Sequence, residues 1–113
     1  MLPESRKFLY DIQQATANLR EFSAGKDFAV YSVDPMLRSA VERQFEIIGE
    51  ALNQLSSKDP ETASRITDRE QIISFRNILI HGYAQVDDRI VWDILQTKLP
   101  SLAREVGLLL DEI

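Results

Sequence analysis

DPMLRSAVERQFEIIGEALNQLSS, residues Asp34 to Ser57, is the stretch that decides the fold. Asp34 offers a side-chain oxygen to the orphan amides of a helix start, and Pro35 follows where a missing N–H costs nothing. Leu37, Val41, Ile48, Leu52 and Leu55 then mark one face, widened by Ala40, Phe45, Ile47 and Ala51. That is the apolar stripe of an amphipathic helix. At roughly 1.5 Å per residue, a helix from Pro35 to Ser57 is about 34 Å long, enough to cross a whole domain. It is expected to be the central helix. Gly49, in its interior, costs about 1 kcal/mol relative to alanine unless another backbone packs closely there.

Working outward, Phe8, Ile12, Ala15, Leu19 and Phe22 put a helical stripe on Ser5 to Ser23, with Gly25 suited to the left-handed stop. Lys26 to Val33 lacks a helical period and reads as a connection. On the other side, Asp59-Pro60 repeats the cap-then-proline signal and opens a short helical turn. Thr67-Asp68-Arg69-Glu70 has the form of a capping box, Thr67 as cap and Glu70 reaching back. It announces a helix through Ile72, Ile73, Phe75, Ile78, Leu79 and Ile80 that stops at Gly82. Asp87 caps the next helix, which carries Val91, Ile94 and Leu95 to Leu99. Pro100 breaks or kinks the chain, and a last helix carries Leu102, Val106, Leu109 and Leu110. No segment alternates at period two long enough to compete as a strand. The expected fold is all-α, an up-and-down bundle of four to five helices forming one domain over residues 1–113.

Composition narrows the function. The 113 residues, 44% apolar, suit one folded domain. With no cysteine there is no disulfide framework, thiol nucleophile or Cys-based zinc site. The single histidine, His81, excludes a His-clustered metal site within one chain, and no metal or cofactor is expected. Eighteen acidic against 13 basic residues leave a formal charge of −5, which disfavours a protein that coats nucleic acid through a basic face. A local site for one phosphodiester remains open. No apolar run approaches the ~20 residues of a membrane span, and the N-terminus lacks the apolar core of a signal peptide. A soluble, cytoplasmic protein without membrane partners is expected.

One stretch carries chemistry: Phe75-Arg76-Asn77-Ile78-Leu79-Ile80-His81-Gly82-Tyr83. At about 100° per residue, Arg76 falls in the middle of the broad face shared by Ile72, Ile73, Phe75, Leu79 and Ile80, with Tyr83 pointing nearly the same way. Ser74, Asn77 and His81 line the opposite side. A guanidinium turned to the core is paired, or opens onto a cavity or interface. Glu46 and Glu50 of the central helix are its candidate partners. Arg76 and His81 lie about 140° apart on the wheel. They converge only if the backbone unwinds before Gly82 or a symmetry mate completes the site. Plainer roles stand beside these: His81 as a helix-terminal residue favouring the macrodipole, Tyr83 as a packing residue, and Trp92 as core or subunit contact.

Arg76-Asn77-Ile78-Leu79-Ile80-His81-Gly82-Tyr83 resembles the Arg-x4-His-x-Tyr signature of the HEPN superfamily, specifically its HepT-like ribonuclease toxins. Val41 to Ala51, with its Ile-Ile-Gly-Glu-Ala run, is similar to that family's second-helix block. Asp87, Val91-Trp92 and Leu99-Pro100 match its C-terminal pattern in order and spacing. The resemblance implies a dimerising helical bundle that acts as a metal-independent endoribonuclease on RNA. It also implies a cognate minimal nucleotidyltransferase as antitoxin, the two forming a type VII toxin–antitoxin pair. By position, Arg76 and His81 would be the catalytic pair, Asn77 a supporting residue that orients His81, and Tyr83 the tyrosine that the partner adenylylates.

Metal-free cleavage by the 2′-hydroxyl needs a base for that hydroxyl and an acid for the 5′-oxygen. A free imidazole titrates near 6.5 and serves in either role. One chain holds only one, so a homodimer that brings two His81 residues to a common cleft would supply both, with Arg76 stabilising the phosphorane. AMP on Tyr83 would fill that cleft and offset the charge of Arg76. The rival expectation is a non-catalytic helical subunit of a nucleotidyltransferase complex, in which Arg76 and His81 contact nucleotide or organise the interface.

Overall fold

The computed structural model describes residues 1–112. They form α1 (Pro3–Ser23), α2 (Phe28–Val33), α3 (Pro35–Lys58), α4 (Pro60–Ala63), α5 (Arg69–His81), a 3-10 turn (Tyr83–Gln85), α6 (Asp88–Thr97) and α7 (Leu99–Leu110). No strand occurs among the described residues. The all-α bundle expected from periodicity is what the chain adopts.

The expected central helix is the central helix. α3 packs against α1 on one side and α5 on the other, while α7 covers α1 and α6 lies against α7. Asp34 caps α3 by accepting from the Leu37 amide at 3.0 Å, with Pro35 in the first turn. Val41, Phe45, Ile48, Leu52 and Leu55 are all but inaccessible and meet Leu9, Ile12 and Leu19 of α1 in one continuous core. Each fully buried aliphatic side chain contributes about 1.5–3 kcal/mol. Gly25 has a φ of +71°, the left-handed stop its residue type suggested.

Two local expectations fail, for physical reasons. Lys26 to Val33 is not a plain connection. Asp27 accepts from the Val30 amide at 3.0 Å and starts α2, whose Tyr31 is wholly buried against Trp92 at 5.1 Å. Six residues are too few for a periodic face to declare itself. Nor does the capping box form. Asp68 holds the cap position of α5 without a side-chain bond, and the Thr67 hydroxyl donates to Glu105 of α7 at 2.6 Å. A tertiary tie has displaced the local one.

α1 starts earlier than its stripe, at Pro3, because its first turn is clamped to the end of α3. Asp59 accepts from the Ser5 hydroxyl at 2.6 Å, from the Thr62 hydroxyl at 2.7 Å and from the Leu2 amide at 3.2 Å. The Ser5 bond first, then that of Thr62, holds the Asp59 carboxyl well below the usual carboxylate range. Lys98 separates α6 from α7, and Pro100 sits in the first turn of α7 rather than interrupting a helix.

Candidate functional site

α5 remains helical through His81. The Gly82 amide donates to the Ile78 carbonyl at 2.8 Å, and the Gln85 amide then donates to the Gly82 carbonyl at 2.8 Å to form the 3-10 turn. The backbone therefore does not unwind before Gly82, and the wheel angle between Arg76 and His81 stands. They project from opposite flanks of one helix.

The Arg76 flank is built. The buried ridge of α5 is Ile72, Phe75 and Leu79, and Arg76 lies at its margin rather than its middle. Its stem crosses α3 directly over Gly49. A methyl group at Gly49 would collide with the Arg76 Cβ and stand 2.6 Å from its Cγ, with the Ile72 carbonyl at 3.4 Å. The close approach that justifies this glycine thus comes mainly from a side-chain stem. Past that crossing, Nη2 donates to Glu50 at 2.5 Å and Nη1 donates to the Asn77 side chain at 2.8 Å. Of the two candidate partners, Glu50 is the one engaged; Glu46 pairs with Arg43 at 3.4 Å. The second Glu50 oxygen accepts from Gln54 at 3.2 Å. Asn77 therefore spends its carbonyl oxygen on the arginine. The Arg76 side chain is 21% exposed and opens into a groove of about 350 Å³ floored by α3 and walled by α1 and α5.

The His81 flank is bare. His81 is exposed and continues the line of Ser74 and Ile78 along α5. Beside that line runs a second groove of about 380 Å³, lined largely by Phe75, Ile78, Ile90 and Ile94 between α5 and α6. Ile78 is 49% exposed and Ile90 55%. Tyr83, on the 3-10 turn beyond the helix, is 78% exposed, so it is no packing residue here. Trp92 is half-buried against Tyr31. The chain thus joins Arg76, Asn77 and Glu50, leaves His81 and Tyr83 exposed at the helix end, and keeps Arg76 and His81 apart.

The groove itself escaped the one-dimensional reading. Arg43, Glu46, Ile47, Glu50, Ala51 and Gln54 recur at helical spacing, a mixed polar and apolar stripe that could have flagged it. Its walls come from Phe8 and Asp11 of α1 and Ile80 of α5, which no local pattern links.

Residues 12–109 match the family described as Ribonuclease HepT-like. A Methanocaldococcus jannaschii protein named as a candidate RNase is 34% identical over 101 residues, covering 89% of this chain and 92% of the relative. Another so named, from Caldanaerobacter subterraneus subsp. tengcongensis, is 36% identical over 101 residues, 89% of each chain. A Thermococcus cleftensis protein named as a candidate ribonuclease HepT is 33% identical over 97 residues, 86% of this chain and 87% of the relative. No solved structure matches. The chain belongs to the HepT-like ribonuclease family.

Proposed function

We propose that the protein is a metal-independent endoribonuclease toxin that works as a homodimer. The observation that carries this is the Arg76 guanidinium, seated on Gly49, tied to Glu50 and Asn77 and opening onto a groove, in a chain of a ribonuclease family. Fixed positive charge at a developing phosphorane is the kind of preorganisation that lowers such a barrier. His81 supplies the proton chemistry. A two-fold axis near the end of α5 brings two imidazoles together, one from each protomer. One takes the proton of the 2′-hydroxyl as its oxygen attacks phosphorus; the other protonates the departing 5′-oxygen as the P–O5′ bond breaks. The products are a 2′,3′-cyclic phosphate and a 5′-hydroxyl. The exposed apolar surface of Ile78 and Ile90 is part of what a second copy would cover, and an isologous contact that extends from it around the end of α5 sets each His81 against its twin and against the partner's Arg76 groove.

Tyr83 is the switch in this proposal. A nucleotidyltransferase partner transfers AMP to its hydroxyl, the tyrosine oxygen displacing pyrophosphate from ATP and losing its proton. An exposure of 78% leaves that hydroxyl open to a partner's active site. The adduct then carries a phosphate and a purine beside His81.

The test is an RNA cleavage assay with purified protein in EDTA. Cleavage by the wild type, absent from Arg76→Ala and His81→Ala of unchanged helicity, is the expected result. The separation of Arg76 from His81 within one protomer favours the rival function, a non-catalytic subunit of a nucleotidyltransferase complex. Binding to the transferase without RNA turnover, by wild type and variants alike, would establish that rival.

A further inference from the structure

The groove beside Arg76 has a lining that a phosphate clamp does not need. Three carboxylates face it, Asp11, Glu46 and Glu50, and each is matched by a cation: Lys7 at 3.0 Å from Asp11, Arg43 at 3.4 Å from Glu46, and Arg76 on Glu50. Its floor between those pairs is apolar, Ile47 and Ala51. A lining of compensated charges gives a polyanionic backbone laid along it little net attraction beyond Arg76 itself, but suits a flat, neutral ring with hydrogen-bonding edges. We infer that this groove is a nucleobase subsite selective for guanine, read by the Arg43–Glu46 pair. The inference rests on the ribonuclease reading of the same groove, which places the scissile phosphate at Arg76.

The chemistry of the pair selects the base. Guanine presents an acceptor, O6, next to two donors, N1–H and the N2 amine, along one edge. A guanidinium donates to the first while a carboxylate accepts from the other two, and Arg43 and Glu46 already hold those functions side by side. Adenine and cytosine offer an amine beside an acceptor nitrogen, and uracil a single donor between two acceptors. None of them satisfies the carboxylate with two parallel donors. Spacing along α3 agrees: Glu46 and Arg43 lie four and seven residues before Glu50, hence about 6 and 10 Å along the helix from the carboxylate that holds Arg76. That span is the reach of one nucleotide. Recognition of an unpaired base by its Watson–Crick edge is the common mode for single-stranded RNA.

The experiment titrates the intact protein with guanosine, inosine and cytidine 5′-monophosphates, following backbone amides by NMR. Guanosine monophosphate should shift the Ile47 and Ala51 amides. Inosine monophosphate, which lacks only the N2 amine, should bind about tenfold or more weakly, and Glu46→Gln should erase most of the preference. Equal binding of the three nucleotides, binding indifferent to Glu46→Gln, or a dimer that covers these amides and excludes nucleotide would each overturn the inference. Cleavage of an oligonucleotide with a single guanine separates the two levels. RNA cut without regard to guanine, and no nucleotide bound, removes the subsite and leaves the nuclease. Guanosine monophosphate bound as described while RNA stays whole removes the nuclease and leaves the subsite.

Discussion

The two flanks of α5 differ in how far the chain finishes them. Arg76 has a seat, two hydrogen-bond partners and a groove, all supplied by its own chain. His81, 7.5 Å or so along the same axis, stands in the open among half-exposed isoleucines and a bare tyrosine. On the proposed function, the side chain that supplies a fixed charge is built in, while the histidine that would meet a twin and the tyrosine that would meet another protein lie on a surface left for something else to complete.

The sharpest way to break this contrast is at the bare flank. His81→Ala should abolish cleavage, a loss on the order of 10²–10⁴-fold for a group that moves protons, while melting stays within a degree or two because His81 is exposed. Ile78→Glu should have a comparable effect by another route. It adds charge to the apolar surface beside His81, so sedimentation should show monomers, and activity should fall with the dimer. A stable, active monomer would end the case for a shared site. Retained cleavage with His81→Ala would end the case for the histidine.

At the built flank the corresponding change is Gly49→Ala. Its methyl group meets the Arg76 stem rather than open space, and overpacking of this kind costs about 1–3 kcal/mol. Because the strain falls on Arg76, activity should drop more than the lost stability explains. Gly107, in α7, has nothing within 4 Å of an added Cβ. There the same substitution should gain about 0.5–1 kcal/mol and leave activity alone. Matching thermal shifts and activities for the two variants would show that the Arg76 seat has no special role.

Much of this contrast could be read from residue order, and the unread part has a cause. The α3 stripe and its Asp34-Pro35 start, the stop at Gly82 and the 140° between Arg76 and His81 are local properties, and helical geometry preserves them. A carboxylate partner, Glu46 or Glu50, followed from the bare need to pair a core-facing guanidinium; the choice of Glu50 did not. What no window of sequence contains is the crossing of α3 and α5. The wheel therefore set Arg76 in mid-face, whereas Gly49 lets it escape at the margin into the groove. Thr67 misled for the same reason: its partner, Glu105, is 38 residues away.

A smaller effect tests what holds the groove open. Asp59 ties the first turn of α1 to the end of α3, and α1 brings the wall that carries Phe8 and Asp11. Asp59→Asn replaces one acceptor oxygen with a donor among the Ser5, Thr62 and Leu2 donors, and should cost about 1–3 kcal/mol. The acid side follows from the depressed carboxyl. Its stabilisation is complete above the unfolded pKa of about 3.9 and is lost as pH falls from there toward the lower folded value. Wild-type melting temperature should therefore fall more steeply below pH 4 than that of Asp59→Asn, and parallel curves would count against the clamp.

The smallest effect lies under the bare flank, where α6 rests on α2 through Trp92 and Tyr31. Tyr31 is fully buried and its hydroxyl has no partner among the described residues. Burial first, then the nearby Glu42 and Asp88 carboxylates, drives its ionisation far upward, so the ring stays neutral. An unpaired buried hydroxyl costs stability, and Tyr31→Phe removes it while keeping the ring on Trp92. The variant should melt at the wild-type temperature or slightly above, within about 1 kcal/mol, whereas Tyr31→Ala should lose about 3–5 kcal/mol through the cavity. A loss above about 2 kcal/mol in Tyr31→Phe would mean that the hydroxyl is engaged, with Glu42 or Asp88 as its acceptor. The support of α6 would then be polar, and the bare flank would be more firmly held than its exposed surface suggests.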